Sequence, residues 1–271
     1  MNFKLTIVAA ALMFAGCDAP VSSTTAAPTA SAMEPAEAAA ASTENIYQAA
    51  VSDERRGEAD VARDAGRKPA EVLEFFAIEP GMQVLDMFSG GGYYTELLAN
   101  VVGPGGSVTA QSNTAYLSFS GEESAARYGD DRLPNTSVMM AENNELALEA
   151  DSYNAVTMIL AYHDFFYESE DGGWPLIDGP KLLAELYKGM KSGAVLGIVD
   201  HNAASGSSSE TGGTTHRIDV DIVLRDLEAA GFVLEARSDI LSNPDDDYEK
   251  SVFDPELRGK TDRFVLKYRK P

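Results

Sequence analysis

From Ile46 onward, short continuous apolar runs typical of buried strands alternate with segments whose apolar residues recur every three or four positions, as on one face of a helix. Such an alternation predicts a mainly parallel β-sheet covered by helices on both faces. The pattern predicts strands at residues 84–86, 108–110, 137–140, 155–160, 194–199, 232–236 and 264–268, and helices at 69–76, 93–102, 182–190 and 220–227.

The first 45 residues have a different composition. Lys4 precedes an apolar stretch, residues 5–14, that is too short to span a bilayer comfortably and leads to Ala15-Gly16-Cys17, which resembles a bacterial lipobox. This predicts a lipoprotein signal peptide at 1–17 and an acylated Cys17 that anchors the protein in the cell envelope, on the periplasmic side of a bacterial membrane. An ordinary signal peptide with an incidental cysteine is the alternative.

Residues 18–45 indicate which membrane holds the protein and how the domain is connected to it. Asp18 resembles the signal that retains some lipoproteins in the inner membrane. Residues 18–45 consist largely of Ala, Ser, Thr and Pro with no aromatic residue, which predicts a disordered tether ahead of a single domain at 46–271.

Charge and cysteine content exclude several classes of function. The chain has 43 acidic and 21 basic residues, a formal net charge of −22. Such a surface repels phosphate backbones at long range, so we expect no nucleic-acid partner. Cys17 is the only cysteine, which excludes an intrachain disulfide and a cysteine-based metal site.

The strongest local motif joins a predicted strand to a helix. The strand ends at Asp86, the glycines Gly90-Gly91-Gly92 follow after a short gap, and the helix begins at Tyr93. This arrangement lets a ligand approach the backbone closely beside a helix N-terminus. Glycines that serve only as a tight turn are the alternative. The coincidence of strand, acidic residue, glycines and helix favours a ligand site.

This motif resembles the first motif of class I S-adenosylmethionine-dependent methyltransferases, which ends a strand with Asp and continues into Gly-x-Gly; Asp86, Gly90 and Gly92 match it. The whole chain is similar to bacterial envelope proteins known only as predicted methyltransferases. The resemblance implies a three-layer, doubly wound, Rossmann-like α/β fold with a mostly parallel seven-stranded sheet and an antiparallel last strand. It also implies S-adenosylmethionine as cofactor, held by Asp86 and by Gly90, Gly91 and Gly92.

Two further cofactor residues follow from the same resemblance. Glu142 takes the position of the acidic residue that meets the adenine amino group. Ser112 stands at the end of the second strand, where the family usually has Asp or Glu to bind the ribose hydroxyls. A serine hydroxyl can bond a diol, but without the strength of a charge-assisted hydrogen bond.

All three histidines lie in predicted loops that follow strands or precede a helix: His163, His201 and His216. In an open α/β sheet such loops border the ligand crevice, so we expect the three to converge there. Asp164 and Asp200 are adjacent to two of them, and a His–Asp pair can act as a general base, with pairing across strands as plausible as pairing of neighbours. Surface or capping histidines are the alternative. The residues lack a tight metal-ligand spacing, and we predict no metal site.

These observations predict a membrane-tethered methyltransferase that acts on a small or envelope-associated acceptor. His163 with Asp164, or His201, would take the acceptor's proton. The cofactor is made in the cytosol, whereas a lipoprotein faces away from it. The alternative is therefore a non-catalytic module of the same fold that binds a nucleoside or another small ligand in the envelope.

Overall fold

The computed structural model describes residues 46–271. The predicted signal peptide, the Cys17 anchor and the tether lie outside these residues. Within the described part of the chain, no helix combines the length and the apolar character needed to cross a membrane.

The described residues form a seven-stranded sheet in the order β3-β2-β1-β4-β5-β7-β6. The first five strands pair in parallel, whereas β7 is antiparallel to both of its neighbours, β5 and β6. This sheet confirms the predicted fold class. The strands are β1 (Gln83–Met87), β2 (Ser107–Ser112), β3 (Thr136–Met140), β4 (Tyr153–Ile159), β5 (Met190–His201), β6 (Val233–Ser238) and β7 (Arg263–Arg269).

Helices cover both faces of the sheet, and a hydrophobic core fills each of the two gaps. One core packs Phe76, Leu97 and Leu98 against Val84 of β1, and the other packs Leu186 among residues of the opposite face. The central strands are buried on both sides, which explains why they read as continuous apolar runs. The helices are α1 (46–51), α2 (Glu58–Arg67), α3 (Pro69–Phe76), α4 (Tyr93–Val102), α5 (Thr114–Tyr128), α6 (Gly179–Gly189), α7 (Thr211–Thr214) and α8 (Val220–Ala229).

The fifth strand is longer than its apolar run predicted. It begins at Met190, directly after α6, and not at Ala194. Met190 pairs with Tyr153, but the next pair joins Ala155 to Val195, so the residues between Met190 and Val195 bulge out of register. The bulge contains Gly193, whose φ of 80° lies in the left-handed region that favours glycine.

Helix α5 has no counterpart in the predicted elements. Its apolar residues do not fall on one face, and the buried positions that follow Tyr116 are the polar residues Ser120, Ser124 and Arg127, so it lacks a helical hydrophobic stripe. The helix begins where the side chain of Asn113 caps it, accepting a hydrogen bond from the backbone N of Tyr116. That cap was the available signal, and hydrophobic periodicity alone missed it.

The parallel strands bring several loops to one edge of the sheet. β1 runs into the glycine loop (residues 88–92), β2 leads to the cap of α5, and β4 is followed by a short 3-10 helix, Tyr162–Phe166. β5 ends at His201 on the same edge. In sheets of this kind that edge borders the ligand crevice.

Candidate functional site

The glycine loop contains three residues in the left-handed region, Phe88 (φ 55°), Gly90 (φ 55°) and Gly92 (φ 82°). Phe88 is the unusual one, because a bulky residue rarely adopts this conformation. Its backbone N donates to the side-chain oxygen of Gln111 at 3.0 Å, and the backbone N of Ser89 donates to the Gln111 carbonyl at 2.8 Å. Gln111 on β2 therefore fixes the shape of the loop, a role that no motif in the sequence had marked.

Helix α5 lies directly on the glycine loop. A Cβ atom at Gly91 would collide with the side chain of Glu123, and one at Gly92 would collide with Arg127 and Tyr128. The guanidinium of Arg127 also donates to the carbonyl oxygen of Gly91. In this structure the absence of side chains at Gly91 and Gly92 makes room for the close approach of helix α5.

Arg127 also ties α5 to two other helices. Its guanidinium forms ion pairs with Asp60 of α2, at 2.7 Å, and with Glu96 of α4. All three side chains are buried. Asp60 and Glu96 have second partners in Arg63 and Arg132, respectively. The covering helix is therefore held by a buried ionic network.

Asp86 is the last residue but one of β1, beneath the loop, and is buried. Its carboxylate accepts hydrogen bonds from Thr95 at 2.6 Å and from Thr157 at 2.9 Å. Burial raises its pKa to about 6, an effect that the two hydroxyl groups reduce only in part. Within residues 46–271 the carboxylate has no ion-pair partner. The ionised Asp86 carboxylate is therefore a buried negative charge that a bound cation could balance.

A small cavity of about 50 Å³ lies beside Asp86, and Arg67 of α2 lines it together with Ser89 of the loop. The guanidinium of Arg67 lies over the ring of Tyr93, 4.5 Å from its centroid. Burial lowers its pKa, and within the described residues its side chain makes no hydrogen bond or ion pair. Sequence reasoning missed Arg67, because it belongs to no motif and reaches the cavity only through packing of α2.

Of the other two predicted cofactor residues, Ser112 bonds the glycine loop and Glu142 bonds the start of α5. The hydroxyl groups of Ser112 and Ser89 are hydrogen-bonded at 3.1 Å, and Ser112 is buried. Glu142 accepts from the backbone N of Thr114 at 3.1 Å and from its hydroxyl at 2.5 Å. Both lie at the loop edge where a cofactor would need them, and their roles toward adenine and ribose stay predictions.

Two of the three predicted catalytic residues, His163 and Asp164, meet with Asp200 and the partly exposed His216 in a group that we call the acid–histidine cluster: His163, Asp164, Asp200 and His216. The third, His201, lies beside this cluster. Asp200 pairs with His163 across strands, through His163 Nδ1 at 2.8 Å and the His163 backbone N at 2.8 Å. His163 Nε2 faces Asp164 Oδ1 at 3.3 Å, and His216 Nδ1 lies 3.8 Å from the same oxygen. The hydroxyl of Tyr116 donates to the other Asp164 oxygen at 2.6 Å.

The predicted convergence of the three histidines is confirmed. The ring of His163 lies 6.0 Å from that of His201 and 5.3 Å from that of His216. Tyr116 connects the cluster to the glycine loop, because its ring centroid lies 5.4 Å from that of Phe88 in the loop and its hydroxyl bonds Asp164. The side chain of Tyr116 thus lies between the candidate catalytic residues and the candidate cofactor residues.

The two buried histidines differ in charge. Burial lowers the pKa of His163, but the negative charges of Asp200 and Asp164 outweigh it and raise the pKa to about 9. Burial, followed by the positive charge of His163, holds the pKa of His201 well below its ordinary value, and His201 Nδ1 bonds Thr261 at 2.7 Å. At neutral pH His163 carries its proton and His201 is neutral.

Comparison with known proteins identifies the fold. Residues 31–163, which include the glycine loop, match the profile of the Protein-L-isoaspartate(D-aspartate) O-methyltransferase family. No curated protein matches the chain. An S-adenosylmethionine-dependent methyltransferase structure from Aquifex aeolicus is 23% identical with a TM-score of 0.53, over 74% of this chain and 88% of that one.

Two other solved structures show how widely the fold is used. An S-adenosylmethionine-dependent methyltransferase from Mesorhizobium loti is 15% identical, with a TM-score of 0.53 over 76% of this chain and 99% of that one. The [4+2]-cyclase SpnF is 16% identical, with a TM-score of 0.53 over 76% of this chain and 82% of that one. This chain therefore has the fold of S-adenosylmethionine-dependent methyltransferases. A cyclase among its neighbours means that activity must be argued from the site.

Proposed function

We propose that this protein is an S-adenosylmethionine-dependent methyltransferase, and that the amino-acid end of the cofactor binds between Arg67 and Asp86. One observation carries the proposal. Beside the glycine loop, a guanidinium without an anionic partner and a carboxylate without a cationic partner, among the described residues, line the same cavity. An α-amino acid carries a carboxylate and an ammonium group on one carbon, and it would satisfy both through charge-assisted hydrogen bonds.

The charges of Arg67 and Asp86 match those of the cofactor's amino-acid end, but the cavity must enlarge before the cofactor can enter. The cavity of about 50 Å³ is several-fold smaller than ligand pockets, which range from about 300 to 1,000 Å³. Helix α5 occupies the surface of the glycine loop that the rest of the cofactor would need. Binding therefore includes displacement of α5 from Gly91 and Gly92.

When bound, the cofactor supplies an electrophilic methyl group on a sulfonium, which passes to the acceptor while the cofactor leaves as the neutral thioether. Arg67, Asp86 and the glycine loop would fix the cofactor in position, which is the main requirement of such a transfer. We assign the acceptor side to the acid–histidine cluster, because Tyr116 joins it to the loop. His216, whose side chain is 22% exposed, is the cluster member that an acceptor would reach from solvent.

The location of the protein forms a separate part of the proposal and is supported by the sequence of the first 45 residues. We propose that the domain is tethered through Cys17 in the cell envelope and acts on a small or envelope-associated acceptor. The acidic net charge of −22 disfavours a nucleic-acid substrate.

Calorimetry of the purified protein with S-adenosylmethionine and S-adenosylhomocysteine tests the assignment. Arg67→Gln and Asp86→Asn should each weaken binding at least tenfold, since each removes one charge that faces the ligand. Arg225→Gln is the matched control, because its side chain is 68% exposed and pairs only with Asp226 among the described residues. Unchanged affinity in both cavity variants would refute the assignment. Tight binding without methyl transfer to any of a panel of acceptors would favour the binding-module alternative.

A further inference from the structure

We propose that the acid–histidine cluster binds a divalent transition-metal ion through His163 Nε2, Asp164 Oδ1 and His216 Nδ1. Among the described residues, these are the His, Cys, Asp and Glu side chains that bring three ligand atoms within 4.8 Å of one another. The ligands come from the 3-10 helix after β4 and from the loop before α8. The sequence concealed them, because the spacing between His163 and His216 matches no metal-ligand motif.

The distances fit an ion better than direct hydrogen bonds. His163 Nε2 and Asp164 Oδ1 are 3.3 Å apart, and His216 Nδ1 lies 3.8 Å from the same oxygen. A charge-assisted hydrogen bond would draw such atoms to about 2.7–2.9 Å. Atoms that bind one ion at about 2.1 Å lie roughly 3.4 Å apart in a tetrahedral site. The first distance therefore already suits an ion, and the second needs only a small side-chain movement.

The surrounding residues have the arrangement found around metal ligands. A ligating histidine usually donates its other ring N–H to a carboxylate, and His163 Nδ1 faces Asp200 Oδ1 at 2.8 Å. The other Asp200 oxygen accepts from the His163 backbone at 2.8 Å, which fixes the carboxylate. A ligating carboxylate is itself usually hydrogen-bonded, and Asp164 accepts from Tyr116 at 2.6 Å. Both hydrogen bonds hold the ligand side chains in a fixed orientation.

The chemistry of the donors selects the kind of metal. Two imidazole nitrogens and one carboxylate oxygen suit Zn²⁺, Co²⁺ or Fe²⁺ better than Mg²⁺ or Ca²⁺, which prefer oxygen ligands alone. Asp164 and Asp200 bring two buried negative charges, and a divalent ion would balance them in place of the proton that His163 otherwise carries at neutral pH. Three protein ligands leave at least one position open for a water or a substrate oxygen.

The test is a titration of the chelator-treated protein with Zn²⁺ by calorimetry and with Co²⁺ by visible absorption. An excess of Mg²⁺ occupies weak cation sites on the acidic surface, so that Zn²⁺ and Co²⁺ do not bind there. We expect one ion per chain, at least tenfold weaker binding in His216→Ala and Asp164→Asn, and 10–100-fold weaker binding in Asp200→Asn, whose side chain only supports a ligand. Asp171→Asn is the control, because this carboxylate is exposed and is not a proposed ligand. Circular dichroism checks that each variant is folded.

His216→Ala decides the outcome if a buried variant fails to fold, because His216 is the partly exposed ligand. Stoichiometric binding that is equal in wild type and His216→Ala, or no binding in the presence of Mg²⁺, would overturn the proposal. The metal site does not rest on the proposed function. S-adenosylhomocysteine is titrated into the metal-free protein in parallel, so that failure of the cofactor assignment and failure of the metal site give different results.

Discussion

Replacing Arg127 with methionine should destabilise the domain and, at the same time, tighten its binding of S-adenosylhomocysteine. Arg127 is the residue that holds α5 on the glycine loop, through the Gly91 carbonyl and the ion pairs with Asp60 and Glu96. Methionine keeps a long apolar side chain but cannot form this hydrogen bond or these ion pairs. If α5 must leave the loop before the cofactor enters, the interactions that the substitution removes are ones that oppose binding.

The expected loss of stability follows from the burial of the ionic network. Breaking a buried ion pair costs about 3–5 kcal/mol when the partner is left uncompensated. Asp60 and Glu96 keep Arg63 and Arg132 as partners, so we expect the lower end, about 3 kcal/mol. At about 2–4 °C per kcal/mol for a domain of this size, Tm should fall by about 6–12 °C.

The expected gain in affinity follows from the same interactions. Apparent affinity is reduced by the fraction of molecules that are competent to bind, so each 1.4 kcal/mol removed from the cost of opening tightens it about tenfold. If about half of the 3 kcal/mol acts on opening alone, binding should become about tenfold tighter. Thermal unfolding followed by circular dichroism and calorimetry measure the two effects.

Arg225→Met, on an exposed face of α8, should change neither quantity. A lower Tm together with weaker binding in Arg127→Met would refute the reasoning, because it would mean that α5 in its present position belongs to the cofactor site.

Two other predictions concern Asp86 and Cys17. The pKa of Asp86 in the folded protein, about 6, lies above its ordinary value of 3.8, so the folded state holds the proton more tightly. The stability this adds is fully present below about pH 4 and is lost as the pH rises through 6, by up to about 3 kcal/mol. Urea unfolding of wild type and Asp86→Asn between pH 4 and 7.5 should show this difference, and a pH-independent difference would contradict it. Cys17→Ser should abolish incorporation of a fatty-acid analogue in cells, whereas equal labelling of wild type and variant would exclude Cys17 as the acylation site.

Local sequence patterns were enough to predict most of the sheet and the loop that follows β1. The central strands are buried on both faces and therefore appear as short apolar runs, and the residues from Asp86 to Gly92 lie next to one another in the chain. Such local patterns can be recognised in the sequence without knowledge of the tertiary contacts. The antiparallel position of the last strand required the resemblance to a family, since apolar runs do not reveal strand direction.

Local patterns did not predict helix α5 or the role of Arg67. The polar sequence of α5 has no hydrophobic stripe, and its position is fixed by ionic interactions of Arg127 with helices distant in the chain. Arg67 becomes a candidate ligand residue only because packing of α2 brings it to the cavity beside Asp86. The Asn113 cap marks where α5 begins, but nothing local in the sequence shows what α5 or Arg67 packs against.

The pairing of the histidines also depended on the tertiary structure. The sequence left pairing of neighbours and pairing across strands open. The structure pairs His163 Nδ1 with Asp200 across strands, while His163 Nε2 also faces its neighbour Asp164 at 3.3 Å, and the His201 ring bonds Thr261. Side chains alternate between the two faces of a strand, so neighbours such as Asp200 and His201 point in opposite directions. The register of β4 with β5 ends at Ile159 and Val199, and the 3-10 helix that follows β4 places His163 against Asp200.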